Sequence, residues 1–235
     1  MTPVALIAGA GGAGAATAAE FARRGFHVVV LDTRLEAASA AVEPLRQAGL
    51  AAEAVSIDLL DVGEVTALRD DLVTRLGSVD VVVHLVGGWR GSKTLGPESI
   101  DNWNALNPPV VGTLVTLTSV FGATVRTSDQ GRIFMVTSTT AAKPTAGNIA
   151  YAAAKSAAEA WMTGVADFFD ESAARSVTVA VKALLTDQMI AADPDKAWPG
   201  YTHVTALASA IADASTGPVD NGRRLDLTRE EYSGA

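Results

Sequence analysis

The chain has 235 residues, 49% of them apolar, and its 18 Lys plus Arg against 26 Asp plus Glu give a formal charge of −8. That apolar share is enough to bury a core and too high for a disordered chain, while the acidic balance leaves no cationic excess to neutralise nucleic-acid phosphates. With no Cys there are no disulfides or thiolate metal sites, and three scattered His (His27, His84, His203) give no expected metal site of any kind.

The first strand is expected at Val4–Ala8. It runs into Gly9-Ala10-Gly11-Gly12-Ala13-Gly14, and a helical pattern follows over 13–25. The glycine content and the lack of a basic segment argue against a signal peptide. No purely apolar run reaches about 18 residues, so neither a membrane span nor a membrane partner is expected, and the protein reads as cytoplasmic.

A second strand, Val28–Leu31, ends at Asp32 and precedes a helix over 35–49. The third, Ala52–Ile57, leads to Asp58 and Leu59 and a helix over 61–77. The fourth, Val79–Val86, runs into Gly87-Gly88, and a long helical pattern over 99–126 contains Pro108-Pro109, which should kink it. The fifth, Ile133–Val136, reaches Ser138 and a helix over 149–173. Val177–Val181 is the sixth; a helix over 203–214 and a strand at Arg224–Leu227 follow, with 228–235 read as a frayed tail.

Gly25, Gly49, Gly77 and Gly131 each stand between a helix and the next strand, where a left-handed cap is wanted. Most strands lack polar alternation, as expected when helices cover both faces of a parallel sheet. The reading is α/β: one doubly wound domain over 1–235, with a mostly parallel sheet of about seven strands and helices on both faces. No linker, low-complexity tract or repeat interrupts it.

Gly9, Gly11, Gly12 and Gly14 follow a strand and open a helix. There glycines allow a tight turn and bring backbone N–H groups close to a pyrophosphate. Asp32 lies 18 residues beyond Gly14, where a carboxylate can accept from an adenosine ribose and repel a 2′-phosphate. This favours NAD; Arg34 keeps NADP open, and Asp32 as a cap of the next helix is the alternative. Asp58, with Leu59 beside it, is a candidate adenine contact or a helix cap, and Gly87 a further cofactor contact. His84 reads as a hydrogen-bonded core histidine.

Tyr151 and Lys155 are four apart on a helix and so share a face. An ammonium beside a phenol favours phenolate, which suits a general acid or base. Ser138, 13 residues before Tyr151, can return beside it through the intervening loop.

Taken with the glycine turn and Asp32, this Ser…Tyr-x-x-x-Lys spacing resembles the short-chain dehydrogenase/reductase family over nearly the whole chain. The resemblance implies a Rossmann-type fold and hydride transfer between a nicotinamide and a small alcohol or carbonyl substrate. Tyr151 would exchange the hydroxyl proton, Ser138 bond the substrate oxygen, and Lys155 hold the nicotinamide ribose while lowering the Tyr151 pKa. A dinucleotide-binding protein with impaired catalysis, or a non-redox lyase, epimerase or cyclase on the same fold, are the alternatives.

The chain departs from the family pattern in several places. T-G-x-x-x-G-x-G is here Ala8-Gly9-Ala10-Gly11-Gly12-Ala13-Gly14-Ala15, and N-N-A-G is His84-Leu85-Val86-Gly87. In the helix pattern N-x-x-G-T, Pro109 falls where the relay Asn belongs, leaving Asn107 as the nearest candidate. Lys182-Ala183 replaces Pro-Gly, and Thr186 matches the family's cofactor-contacting Thr. The substrate loop Thr186–Tyr201 offers Met189, Ile190, Trp198 and Tyr201, which with Trp89 suggest a partly apolar pocket or ordinary packing. The small face of Ala150, Ala154, Ala157 and Ala158 would admit another helix, and the family implies a homodimer or homotetramer.

Overall fold

The computed structural model describes residues 2–228, so the expected tail lies, from 229 onward, outside the described residues. Strand β1 (Val4–Ala8) leads to α1 (Gly12–Arg23), β2 (His27–Asp32), α2 (Leu35–Gln47), β3 (Ala52–Ser56), α3 (Val62–Leu76) and β4 (Val81–His84). Then come α4 (Glu98–Asn107), α5 (Thr113–Arg126), β5 (Arg132–Ser138), α6 (Ile149–Phe168) and β6 (Arg175–Val181). The chain closes with β7 (Leu184–Leu185), α7 (Asp187–Ala192), β8 (Thr202–His203), α8 (Val204–Thr216) and β9 (Arg223–Asp226).

Seven strands form one sheet in the order β3-β2-β1-β4-β5-β6-β9, every pairing parallel. Both faces are covered, which is why the strands lack polar alternation. Ala5, Ile7, Val81 and Val83 pack on the side of α1, α2 and α8, whereas Leu6, Val82 and Ile133 pack under α3, α5 and α6. At the N-terminal end the Asp80 carboxylate accepts from the Val4 N–H (2.8 Å) and from the Ser78 and Ser128 hydroxyls, tying three neighbouring segments together.

The strand order reverses between β1 and β4, so crossovers leave on opposite faces and a crevice opens at the C-terminal strand ends there. Ala8, Asp32, His84, Ser138 and Val181 all stand at that end.

Several expected boundaries shift. Strand β4 is shorter than 79–86, although the Asp80 and Leu85 N–H groups that flank it still donate to the Val4 and Ala8 carbonyls. The helix expected over 99–126 runs from Glu98 to Arg126 but widens into a π turn at Pro108–Gly112, where two successive prolines lack N–H donors. This 29-residue run is long and apolar enough to cross a membrane by length and composition alone. Here it is a core helix, with Leu114, Leu117, Phe121 and Val125 fully buried.

Gly25, Gly49 and Gly77 take positive φ as expected. Gly131 does not: its lack of a side chain serves close packing, since a Cβ there would strike the Val125 carbonyl oxygen and Ala174. The two-stranded pairing of β7 with β8 was not expected, its strands being only two residues each. It pins both ends of the 186–201 excursion beside the crevice.

Candidate active site

The glycine loop is shaped by contacts that forbid side chains. Gly9 has φ +101, and its N–H donates to the Leu31 carbonyl (2.8 Å). A Cβ on Gly14 would fall on the Gly9 carbonyl oxygen, so the first turn of α1 lies directly against the loop. Gly11 faces open space, where a Cβ would meet no neighbour, and leads into the N-terminus of α1. Such a helix start presents free N–H groups to an anion. Thr186, N-cap of α7, lies over Gly12 and accepts from the Met189 N–H, so the segment after β6 meets the glycine loop.

Asp32 also braces this loop. One carboxylate oxygen accepts from the Ala10 N–H and the other from the Arg34 N–H, both at 3.0 Å. It does not cap α2, whose N-cap is Arg34 without a side-chain bond. Asp58 is likewise not the cap of α3. Asp61 takes that role, accepting from the Glu64 N–H, while Asp58 accepts from the Leu60 N–H in a turn.

A cleft of about 360 Å³ joins these parts: Gly9, Gly11, Asp32, Asp58, Leu59 and Gly87 line it, with Pro109 and Thr113 from the other wall. A second cleft of about 260 Å³ shares Leu85, Val86 and Gly87 with it and is lined by Ala13, Thr137, Tyr151, Lys155 and Lys182. The two form one groove across the switch point.

Ser138 ends β5, is buried, and its oxygen accepts from the Thr140 N–H and hydroxyl (3.2 and 3.0 Å). Tyr151 and Lys155 lie on α6, with the ammonium 6.0 Å from the phenol ring centre. Burial pushes the phenol above its ordinary value, and the Ser138 hydroxyl pulls it part of the way back. This reverses the expected lowering by Lys155. The ammonium is itself drawn off, donating to the Val136 carbonyl at 2.8 Å. Burial pushes Lys155 down to about 8, opposed by Glu159 one turn further on. The Glu159 carboxylate in turn accepts from Thr137 (2.7 Å) and pairs with Arg224.

Behind Gly87, His84 is buried as a core histidine. Burial, and after it the Lys155 charge, push the imidazole down to about 3, so it is neutral. Thr113 donates to the Pro109 carbonyl and is left to accept, which places the histidine proton on Nε2 (2.8 Å to Thr113 Oγ1). Nδ1 is then a bare acceptor without a partner among the described residues.

The structure does not bring Asn107 to the groove. Pro109 lines it instead, and residues two apart on a helix face different ways. Trp89 is 69% exposed and lines neither cleft. Trp198 and Tyr201 pack on one another edge-to-face at 5.2 Å, and Met189 and Ile190 lie outside the cleft linings. Much of the small face of α6 is covered within the chain: Ala150 and Ala154 pack on Leu106 and Val110 of the α4–α5 helix and Ala158 joins the core, while Ala157 stays exposed. Thr113, Pro109, the Val136 carbonyl and Glu159 were not foreseen. Their roles come from backbone groups and tertiary packing, which leave no local pattern.

A parallel sheet with a glycine-built crevice at its switch point defines a dinucleotide-type α/β fold, and a phenol and an ammonium line one end of that crevice, the phenol hydrogen-bonded to the buried Ser138 hydroxyl. The short chain dehydrogenase family profile matches residues 3–196, and the chain belongs to that family. It is 31% identical over 186 residues to the 7alpha-hydroxysteroid dehydrogenase of Escherichia coli (strain K12), covering 79% of this chain and 72% of that protein. Among solved structures, a blue fluorescent protein from a metagenomic library in complex with NADPH superposes with a TM-score of 0.82 at 26% identity, covering 96% of each chain. NAD+-bound xylitol dehydrogenase shares the fold (TM-score 0.81, 19% identity, 96% and 97% coverage).

Proposed function

We propose that the whole chain works as one nicotinamide-dependent oxidoreductase domain, interconverting a small alcohol and its carbonyl compound. The observation that carries this reading is the groove itself, whose glycine-walled half leads to Tyr151 and Lys155, with the buried Ser138 hydroxyl bonded to the phenol just outside its lining. The fit to a dinucleotide rests on that cradle: Gly11 leaves the N-terminus of α1 open, and Gly14 lets the loop close down on the helix.

A bound nicotinamide would supply the hydride-accepting or hydride-donating carbon. Gly9, Gly11, Gly12 and Gly14 would hold the pyrophosphate, Asp58 and Leu59 the adenine side, and Gly87, Lys155 and Thr186 the nicotinamide side. Asp32 would accept from the adenosine ribose. Its fixed carboxylate repels a 2′-phosphate, and Arg34, 75% exposed and 3.7 Å away, offsets this only partly. NAD is therefore the proposed cofactor over NADP, although relatives of this fold are known with each.

Tyr151 gives or takes the hydroxyl proton. Ser138 hydrogen-bonds the substrate oxygen and favours the phenolate as it forms. Lys155 supplies the nearby positive charge. A phenol raised by burial holds its proton near neutral pH, which suits donation to a carbonyl oxygen, and the Ser138 hydroxyl favours the phenolate left behind. Asn107 has no role in this reading: the Lys155 ammonium donates to the Val136 carbonyl, and Pro109 and Thr113 line the groove in its place. We also propose a cytoplasmic homo-oligomer.

Substitution Tyr151→Phe tests the assignment. Turnover on a carbonyl panel, followed at the nicotinamide absorbance, should fall by about 10²-fold or more with cofactor affinity largely kept. Unchanged turnover would remove Tyr151 from the chemistry.

A further inference from the structure

The chain has only five lysines, and all five lie at the catalytic end of the sheet. Lys155 is in α6. Lys93 is in the loop after β4, Lys143 in the loop after β5, and Lys182 and Lys196 follow β6. These loops are joined: the Ser92 N–H donates to the Gly147 carbonyl (2.8 Å), and the Thr202 N–H to Ala183 (2.9 Å). With Arg90 they carry five exposed cations and three carboxylates (Asp187, Asp193, Asp195), in a chain whose formal charge is −8.

Among the described residues none of these five cations forms an ion pair, whereas Arg23, Arg24, Arg69, Arg75 and Arg224 on other surfaces all do. Of the three carboxylates, Asp187 is engaged by His203 at 3.3 Å. The groove is polarised in the same sense. Its glycine-loop half is lined by Asp32 and Asp58 with no cation, and its catalytic half by Lys155 and Lys182 with no carboxylate. Lys182 is held in place, its stem against Gly200 and its Nζ donating to the Pro199 carbonyl at 2.8 Å. A carbonyl partner leaves the charge unneutralised and the other N–H donors free.

We propose that the substrate taken beside Tyr151 is an anion, a small hydroxy or oxo acid whose carboxylate is held by Lys182 while the loop cations steer it in. The proposal rests on the oxidoreductase reading above and names its substrate class. The carboxylate would be a spectator to the redox step: with an oxidised nicotinamide bound to accept the hydride from the carbinol carbon, Tyr151 would take the hydroxyl proton and the oxo acid would result. Steering by a field over exposed loops acts at long range and weakens with salt.

The test measures binding of matched pairs to the NADH-loaded and to the cofactor-free protein by tryptophan fluorescence: gluconate with sorbitol, lactate with propane-1,2-diol, and 3-hydroxybutyrate with butane-1,3-diol. At least one acid should bind about tenfold more tightly than its neutral twin. That preference should shrink as salt is raised, vanish in Lys182→Met and survive in Lys182→Arg. No preference for any acid, or a preference untouched by Lys182→Met, overturns the proposal. So does a Lys182→Met protein that loses NADH affinity and keeps the acid preference, since Lys182 would then serve the cofactor phosphates. Failure of NADH to bind at all would instead refute the oxidoreductase reading, while the cofactor-free comparison still judges the charge argument.

Discussion

Lys155 carries an ammonium into a site from which most water has been removed, held by one carbonyl and the field of Glu159. Its folded value of about 8 lies below the ordinary 10.5, so the unfolded chain binds more protons between those limits and stability rises with pH there. Below about pH 8 both states are charged and burying the charge costs the fold roughly 3 kcal/mol. Lys155→Met should therefore raise stability near pH 7 by about 1–3 kcal/mol and abolish the slope between pH 8 and 10.5, measured as the difference between wild-type and variant urea unfolding. A variant less stable at pH 7, with the slope retained, would contradict this. The proximity of Ser138, Tyr151 and Lys155 was legible because helical spacing and a strand end are local facts. The direction of the Tyr151 shift was not, since it depends on how far tertiary packing buries the phenol.

The glycine loop and α1 work as a unit, and the two ends of the loop impose different demands. Gly14→Ala would drive a methyl onto the Gly9 carbonyl and force the loop off the helix, whereas Gly11 has a conformation any residue adopts and open space beyond it. Thermal unfolding should show Gly14→Ala destabilised by about 1–3 kcal/mol, with Gly11→Ala within about 0.5 kcal/mol of wild type. Both should lose NADH affinity, the second because its methyl stands in the ligand's space. Equal stability of the two variants would rule out this account of the loop. The strand-helix alternation was legible from unbroken apolar runs. The π turn was foreshadowed only as a proline kink, and its consequence, Pro109 rather than Asn107 facing the groove, turns on a helical phase that local spacing does not fix. The β7–β8 pairing was illegible because two residues carry no period.

Across the whole molecule, helices cover both faces of the sheet, and besides the groove at the switch point the described residues leave a cleft of about 540 Å³ beside Leu95, Ile100 and Trp103 and another on the outer surface of α5 and α6. The outer groove, about 520 Å³, is lined by Thr118, Gly122, Trp161, Gly164 and Phe168 and shares no lining residue with the groove at the switch point. Trp161 and Phe168 are 39% and 49% exposed there. An apolar groove with glycines on both helices suits a symmetric partner of the same kind. Light scattering should give a dimer or larger, and Gly164→Arg a lighter species; a monomeric wild type would overturn the assembly.

The claim on which the remaining chemistry depends is that the groove between β1 and β4 takes a reduced or oxidised nicotinamide dinucleotide against Tyr151. Titrating the purified protein with NADH and with NADPH, following nicotinamide fluorescence, tests it directly. The prediction is saturable binding of one NADH per chain, about tenfold or more tighter than NADPH, with the gap narrowed in Asp32→Asn. Absence of saturable binding by either dinucleotide would contradict it.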